Sequence, residues 1–418
     1  MSDHNTLGDL AIQVVDHVAP YKVPLELFHH YSLPNYDAGK LPMLESGHSI
    51  KSGKLRIPDG AVLLSKLNPK HPKVWRIPTT MGQQAIASTE FLVLQPRTGI
   101  TLNALYAACL NPYFLRALAA KATGTSSSHQ RVRPEDLLAT ELNISAEPAA
   151  LAKIGDFIAA LDEKIELNHR MSTTLEAVAR ALFQGWFVDF DPVRAKAEGR
   201  QLVGMDAATA ELIPDSFEDS SLGQIPKGWR VGTMGSVTRT RNEKVGTATA
   251  QVLSAVATGR LIHSDEYFSK QVFSASIQKY LVVRQWDFAY NPSRINIGSI
   301  GLLEEDLIGA VSPVYEVVTP QPTFHWFIEK SLRLPFIQDQ IRGLCSGSVR
   351  QSLRLSDFLS IQLVIPPREV VHAYNRAWEL QRSKIVSLSI ENMILTHVRD
   401  NLLPKLLSGE LAGEDVTA

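Results

Sequence analysis

A chain of 418 residues, 44% hydrophobic and 20% charged, is too long for one ordinary domain and points to two or three, each able to bury its own core. No apolar run reaches the length of a bilayer span, and the opening MSDHNTLGDL has neither the basic nor the apolar region of a secretory signal. Cys109 and Cys345 alone give no disulfide framework and no zinc knuckle, so a reducing cytoplasm is the expected location; the formal charge of -1 hides strongly uneven local charge.

In chain order, TLGDL (Thr6 to Leu10) is followed by a basic stretch in which Lys51, Lys54, Arg56, Lys66, Lys70, Lys73 and Arg76 face only Asp59. AVLLSKL and FLVLQP, continuous apolar runs between turn residues, predict strands, and Asn103 to Ala122 predicts a helix. A second basic stretch carries Arg116, Lys121, Arg131 and Arg133 without an acid. A long heptad helix follows, with Leu151, Ile158 and Ile165 in one row and Ile154, Leu161, Leu175 and Leu182 in the other, interrupted by Asn168. It ends in LFQGWFVDFDPVRAKAEG, and residues 192–226, acidic and without periodicity, read as a connector. Beyond it, Lys227, Arg230, Arg239, Arg241 and Lys244 face only Glu243; YLVVRQW and VYEVVTP predict strands and Thr323 to Leu344 a helix. Arg342, Arg350 and Arg354 form the fourth basic stretch. A second heptad helix sets Val371, Trp378 and Ile385 (then Asn392 and Arg399) beside Tyr374, Leu388, Leu395 and Leu402, with Gln381 inside the second row.

The two halves are copies. HQRVRPEDLLATELNIS from His129 matches RQSLRLSDFLSIQLVIP from Arg350, a shift of 350 − 129 = 221, and FLVLQP resembles YEVVTP as TLGDL resembles TMGSV. Because the heptad seams repeat too, polar interruptions included, they are expected to pair with each other rather than to cover separate cores. An approximate two-fold axis makes that pairing antiparallel, with the globular parts at opposite ends. A helix from Leu151 to Leu182 is roughly 48 Å long at about 1.5 Å per residue, against about 34 Å for a turn of DNA. The expected architecture is α/β (α+β): two similar globular domains separated by two long helices in an antiparallel coiled coil, a pseudo-two-fold internal repeat.

LFQGWFVDFDPVRAKAEG after a heptad helix, IPKGWRVGTMGSV opening the second half, FAYNPSRINIGSIGL within it and LLPKLLSGEL near the end together resemble the specificity subunits of type I restriction-modification systems, over essentially the whole chain. The resemblance implies target recognition domains at 1–146 and 227–367, a central spacer helix at 147–186, a connector at 187–226 and a second spacer helix at 368–418. It also implies the partners: double-stranded DNA read as a bipartite site, two methyltransferase subunits and restriction (motor) subunits. S-adenosylmethionine, ATP and magnesium would be used by those partners, with no cofactor, metal or catalytic residue in this chain.

Among DNA contacts, Arg294, Asn296, Arg350 and Gln351 suit base edges, since arginine matches guanine and asparagine or glutamine matches adenine. Asn291 joins them, with turn formation as its plainer role. Lys70, Lys73, Arg76, Arg131, Arg239 and Arg241 suit phosphates, and Gly124, Ser126 to Ser128, Gly347 and Ser348 would let backbone approach phosphate. Arg133 and Arg354 are expected instead in ion pairs with Asp136 and Asp357. The alternatives are a stand-alone metal-dependent nuclease centred on Asp189 and Asp191, an adenine methyltransferase suggested by NPYF (Asn111 to Phe114), or the specificity subunit of another restriction class. The first two lack supporting residues: no further carboxylates join the aspartate pair, and no glycine-rich loop follows a strand to hold a methyl donor. Trp186, Phe187 and Phe190 are expected to pack the helix exit.

Overall fold

Each half begins with the same local device. Thr6 N and Oγ1 donate to Asp9 Oδ2 at 2.9 and 2.8 Å, and Thr233 N donates to Ser236 Oγ at 3.2 Å. Both tie down a one-turn helix, Leu7–Leu10 and Met234–Ser236, whose first N–H then reaches the far end of its own copy: Leu7 N to Thr140 O at 3.1 Å, Met234 N to Ile361 O at 2.8 Å.

The computed structural model describes residues 6–79, 84–122, 130–202, 205–256, 259–267, 274, 276–346 and 352–411. It divides into unit 1, residues 1–174 and 384–418, and unit 2, residues 175–383. In unit 1 an antiparallel four-stranded sheet has the order Ala11–Val14, Phe91–Pro96, Ala61–Ser65, Val74–Ile77, and in unit 2 the order Thr238–Thr240, Glu316–Pro320, Phe288–Tyr290, Ile300–Leu302. A second sheet also recurs. Its centre is a parallel pair, Leu27–Tyr31 with Ala85–Ala87 in unit 1 and Gln251–Ala255 with Gly309–Val311 in unit 2, flanked on both sides by antiparallel strands. Among the described residues, the edge strand His17–Val18 of unit 1 has only the Lys244–Leu281 bridge as its counterpart.

The continuous apolar runs follow from burial on both faces of the first sheet. In unit 1 Val62, Leu64, Leu92 and Leu94 pack on the helices, whereas Leu63, Phe91 and Val93 pack on Tyr31, Leu55 and Trp75. The predicted helix from Asn103 to Ala122 is two, Leu102–Leu110 and Pro112–Ala120, and that from Thr323 to Leu344 is His325–Ser331 and Pro335–Leu344. Pro112 and Pro335 each lack the N–H that would continue the preceding helix. The stretch read as a connector holds helices Asp191–Ala197 and Ala207–Leu212 and the hairpin Phe217–Ser220/Gly223–Pro226.

The long helices run over Pro148–Phe187 and Arg368–Ser408 and pair antiparallel within each unit. In unit 1 Arg399 Nη1 donates to Asp162 Oδ1 at 2.5 Å, and Asn168 Nδ2 donates to Asn392 Oδ1 at 2.9 Å and to Glu391 Oε2 at 3.0 Å. In unit 2 Tyr374 Oη donates to Ala179 O at 3.4 Å, and its ring centre lies 5.5 Å from that of Phe183. Of the seam residues, Leu151, Ile154, Ile158, Val371, Tyr374, Trp378 and Leu388 are buried; Leu161, Ile165, Leu175, Leu182, Ile385, Leu395 and Leu402 are half-buried. Gly155 lets the first helix touch backbone: a Cβ there would lie 2.4 Å from Ala104 N and Asn103 C.

Each helix finishes inside the unit that the other copy begins. Leu403, Leu406 and Leu407 join the core of Leu7, Leu105 and Phe114, and Ser145 N donates to Leu407 O at 2.9 Å. In unit 2 Phe187 lies among the rings of Phe327, Tyr374 and Trp229, and Phe190 against Trp229 and Phe217.

Candidate nucleic-acid interface

In each unit the first sheet presents one turn between its two last strands, and that turn meets the segment just before a short helix. In unit 1 the turn is 66–73 and the segment 130–133. Val132 N donates to Lys66 O at 3.1 Å, Asn68 N donates to Gln130 O at 2.9 Å, and Leu67 bridges Arg131. In unit 2 the turn is Pro292–Ile297, capped by the Asn291 side chain, which accepts from Ser293 N at 3.1 Å and is closed by Gly298 at φ 88°. There Leu353 N donates to Pro292 O at 3.1 Å, the counterpart of the Val132 contact at the same 221-residue shift (353 − 132).

These two places gather part of the expected contact set. Lys70 is exposed on the unit 1 turn, beside the exposed Arg131, whose Nη2 donates to Glu90 at 2.7 Å. A cleft of about 400 Å³ there is lined by Lys66, Glu90, Arg131 and Arg133 among others. Burial lowers the Lys66 ammonium from its usual pKa and Arg131 pushes the same way, against the opposing pull of Glu90. On the unit 2 turn Arg294 and Asn296 are exposed, while the Asn291 side chain forms the turn. Arg350, Gln351, Gly124, Ser126 to Ser128, Gly347 and Ser348 lie outside the described residues.

Other basic candidates are held by acids far off in sequence. Lys73 pairs with Asp37 over the Tyr36 ring, and Arg76 pairs with Glu163 of the long helix while Nη1 donates to Asn103 at 2.9 Å. Arg241 grips the fully buried Asp287, Nε to Oδ2 at 2.6 Å, and also bonds Thr319 Oγ1 at 3.2 Å. Arg239 is exposed at the edge of its sheet with no partner among the described residues. The ion pairs expected for Arg133 with Asp136 and Arg354 with Asp357 do not form. Both arginines cap their helices in extended backbone, φ −71° and −68°, and both are exposed.

The residues behind the competing chemical readings have other roles in the fold. Asp189 Oδ1 accepts from Gln184 Nε2 at 3.0 Å and its carbonyl from Arg194 Nε at 3.0 Å, a turn around Phe190 at φ 57°. Among the described residues no three His, Cys, Asp or Glu side chains converge to hold a metal ion. In NPYF the Asn111 side chain is buried and caps the helix Pro112–Ala120, accepting from Tyr113 N at 3.0 Å and donating to Leu142 O.

No protein-family model matches the chain. The specificity subunit of the type I restriction enzyme HindI from Haemophilus influenzae is 24% identical, over 86% of this chain and 88% of that protein. The MjaIX specificity subunit from Methanocaldococcus jannaschii is 22% identical, over 88% and 82%. Over most of its length this chain is similar to type I specificity subunits. The crystal structure of the type I restriction-modification S subunit from M. genitalium shares the specificity-subunit fold with it, at a TM-score of 0.59 and 12% identity over 97% of both chains.

Proposed function

We propose that this chain is the non-catalytic sequence-reading subunit of a type I restriction-modification complex. Each unit reads one part of a bipartite site in duplex DNA, the two long helices receive two methyltransferase subunits, and restriction subunits complete the assembly. S-adenosylmethionine, ATP and magnesium then serve the partners, and the assembly works in the cytoplasm. The observation that carries this reading is a scaffold used twice with altered turns: the turn that carries Lys70 in the first copy carries Arg294 and Asn296 in the second, and Arg131 on the adjoining segment is replaced by Ser352. One frame with two different sets of polar side chains is what reading two different half-sequences requires. Leu380, Ile390, Met393 and Ile394, each more than half exposed on the second long helix, suit protein partners. Among the described residues no helix is long and apolar enough to cross a membrane.

Methylome sequencing of cells with and without this protein tests the reading. The expected result is a split methylated-adenine motif that disappears on deletion; an unchanged methylome in cells that express a type I methyltransferase subunit overturns it.

A further inference from the structure

The geometry points to Arg133 and Arg354 as matched phosphate anchors, one in each unit; this rests on the DNA-reading function proposed above. The two arginines occupy one position of the repeat, 354 − 133 = 221 residues apart, and both are exposed. Neither has an ion partner among the described residues, although an aspartate stands three places on in both copies. Each follows a residue that locks the backbone beneath it: Val132 and Leu353 are 3% and 0% exposed, and each N–H is bonded to the neighbouring turn at 3.1 Å. The side chain is therefore mobile only beyond a fixed Cα.

Around this constant pair the polar surroundings have diverged. Lys66 is replaced by Pro292 at the shared backbone contact, and Arg131 by Ser352 one step before the locked residue. Groups that read bases must differ between two half-sites, but the sugar-phosphate chain is the same beneath every sequence. An arginine kept unneutralised in both copies, beside turns that have changed, fits the invariant part of the ligand. Its planar fork also suits two phosphate oxygens. Arg76 and Arg241, which are equally basic in sequence, are bound to Glu163 and Asp287 and cannot serve in the same way.

The test uses the full chain assembled with the methyltransferase subunits of its own system, and measures binding to the methylome-defined duplex and to a scrambled duplex over a range of salt. R133Q and R354Q should each weaken both duplexes by a similar factor and reduce the magnitude of the log-log salt slope by about 0.9, the double variant by about twice that. Lysine at both positions should recover most of the slope, and unchanged melting temperatures would show that the variants fold. Unaltered slopes, with the wild-type assembly still preferring its site, overturn the anchor assignment alone. A loss limited to preference at one base pair overturns it as well, since that describes a base reader. If the wild-type assembly shows no preference for its site, both this assignment and the function above fall.

Discussion

His325 stacks on Trp286 with ring centres 4.3 Å apart, and burial, aided by the nearby Arg382, pulls it from the usual 6.5 down to about 4. A histidine neutral in the fold gains a proton on unfolding at intermediate pH. Its contribution to stability is therefore intact above pH 6.5 and lost as pH falls toward about 4. The thermal midpoint of the wild type should drop across that window more steeply than that of His325→Phe, which keeps the stacking and removes the titration; parallel curves in scanning calorimetry refute this. Single residues were the least legible part of the sequence. Lys73, Arg76 and Arg241 read as free cations because their acids, Asp37, Glu163 and Asp287, are dozens of positions away. Arg133 and Arg354 were misread in the opposite direction: proximity in sequence to Asp136 and Asp357 suggested ion pairs, but both arginines stand exposed at the N-caps of their helices without pairing to those aspartates. For Asn291 the plainer role, turn formation, is what the structure shows.

Asn168 and Asn392 show what periodicity can and cannot disclose about an element. The heptads revealed both seams and their polar interruptions, because one missing apolar residue in a regular row is conspicuous. They did not reveal that the two asparagines meet, at 2.9 Å, since register between helices depends on the packing of both units. Replacing Asn168 by Leu leaves Asn392 buried without that amide donor and should cost about 1–3 kcal/mol. Replacing both should recover that loss, because polar seam residues trade stability for register. Urea unfolding of the two single variants and the double completes the cycle, and strictly additive effects would show that the contact carries no coupling. The breaks at Pro112 and Pro335 were missed, each pair of helices being read as one, although a proline within an apolar helical pattern marks such a break directly. The parallel pair inside each second sheet was not readable, because its strands are three to five residues long and their partners lie far along the chain.

For the whole molecule, the repeat was the most legible feature, since a constant shift survives substitutions that erase any single motif. Modularity follows from it. Exchanging residues 1–144 for the matching part of a relative should change one half of the methylated motif and leave the other untouched, as read by methylome sequencing; alteration of both halves would rule out independent readers. The graft must still accept Leu403, Leu406 and Leu407, which close the core around Leu7 and Leu105. That closure also bears on biosynthesis. The ribosome releases these three leucines long after it has released the sheets they seal, so the earliest-made portion must wait, with a greasy seat open, until translation is nearly done. Until then the seat is bare apolar surface, and a premature stop anywhere in the second half would leave it so.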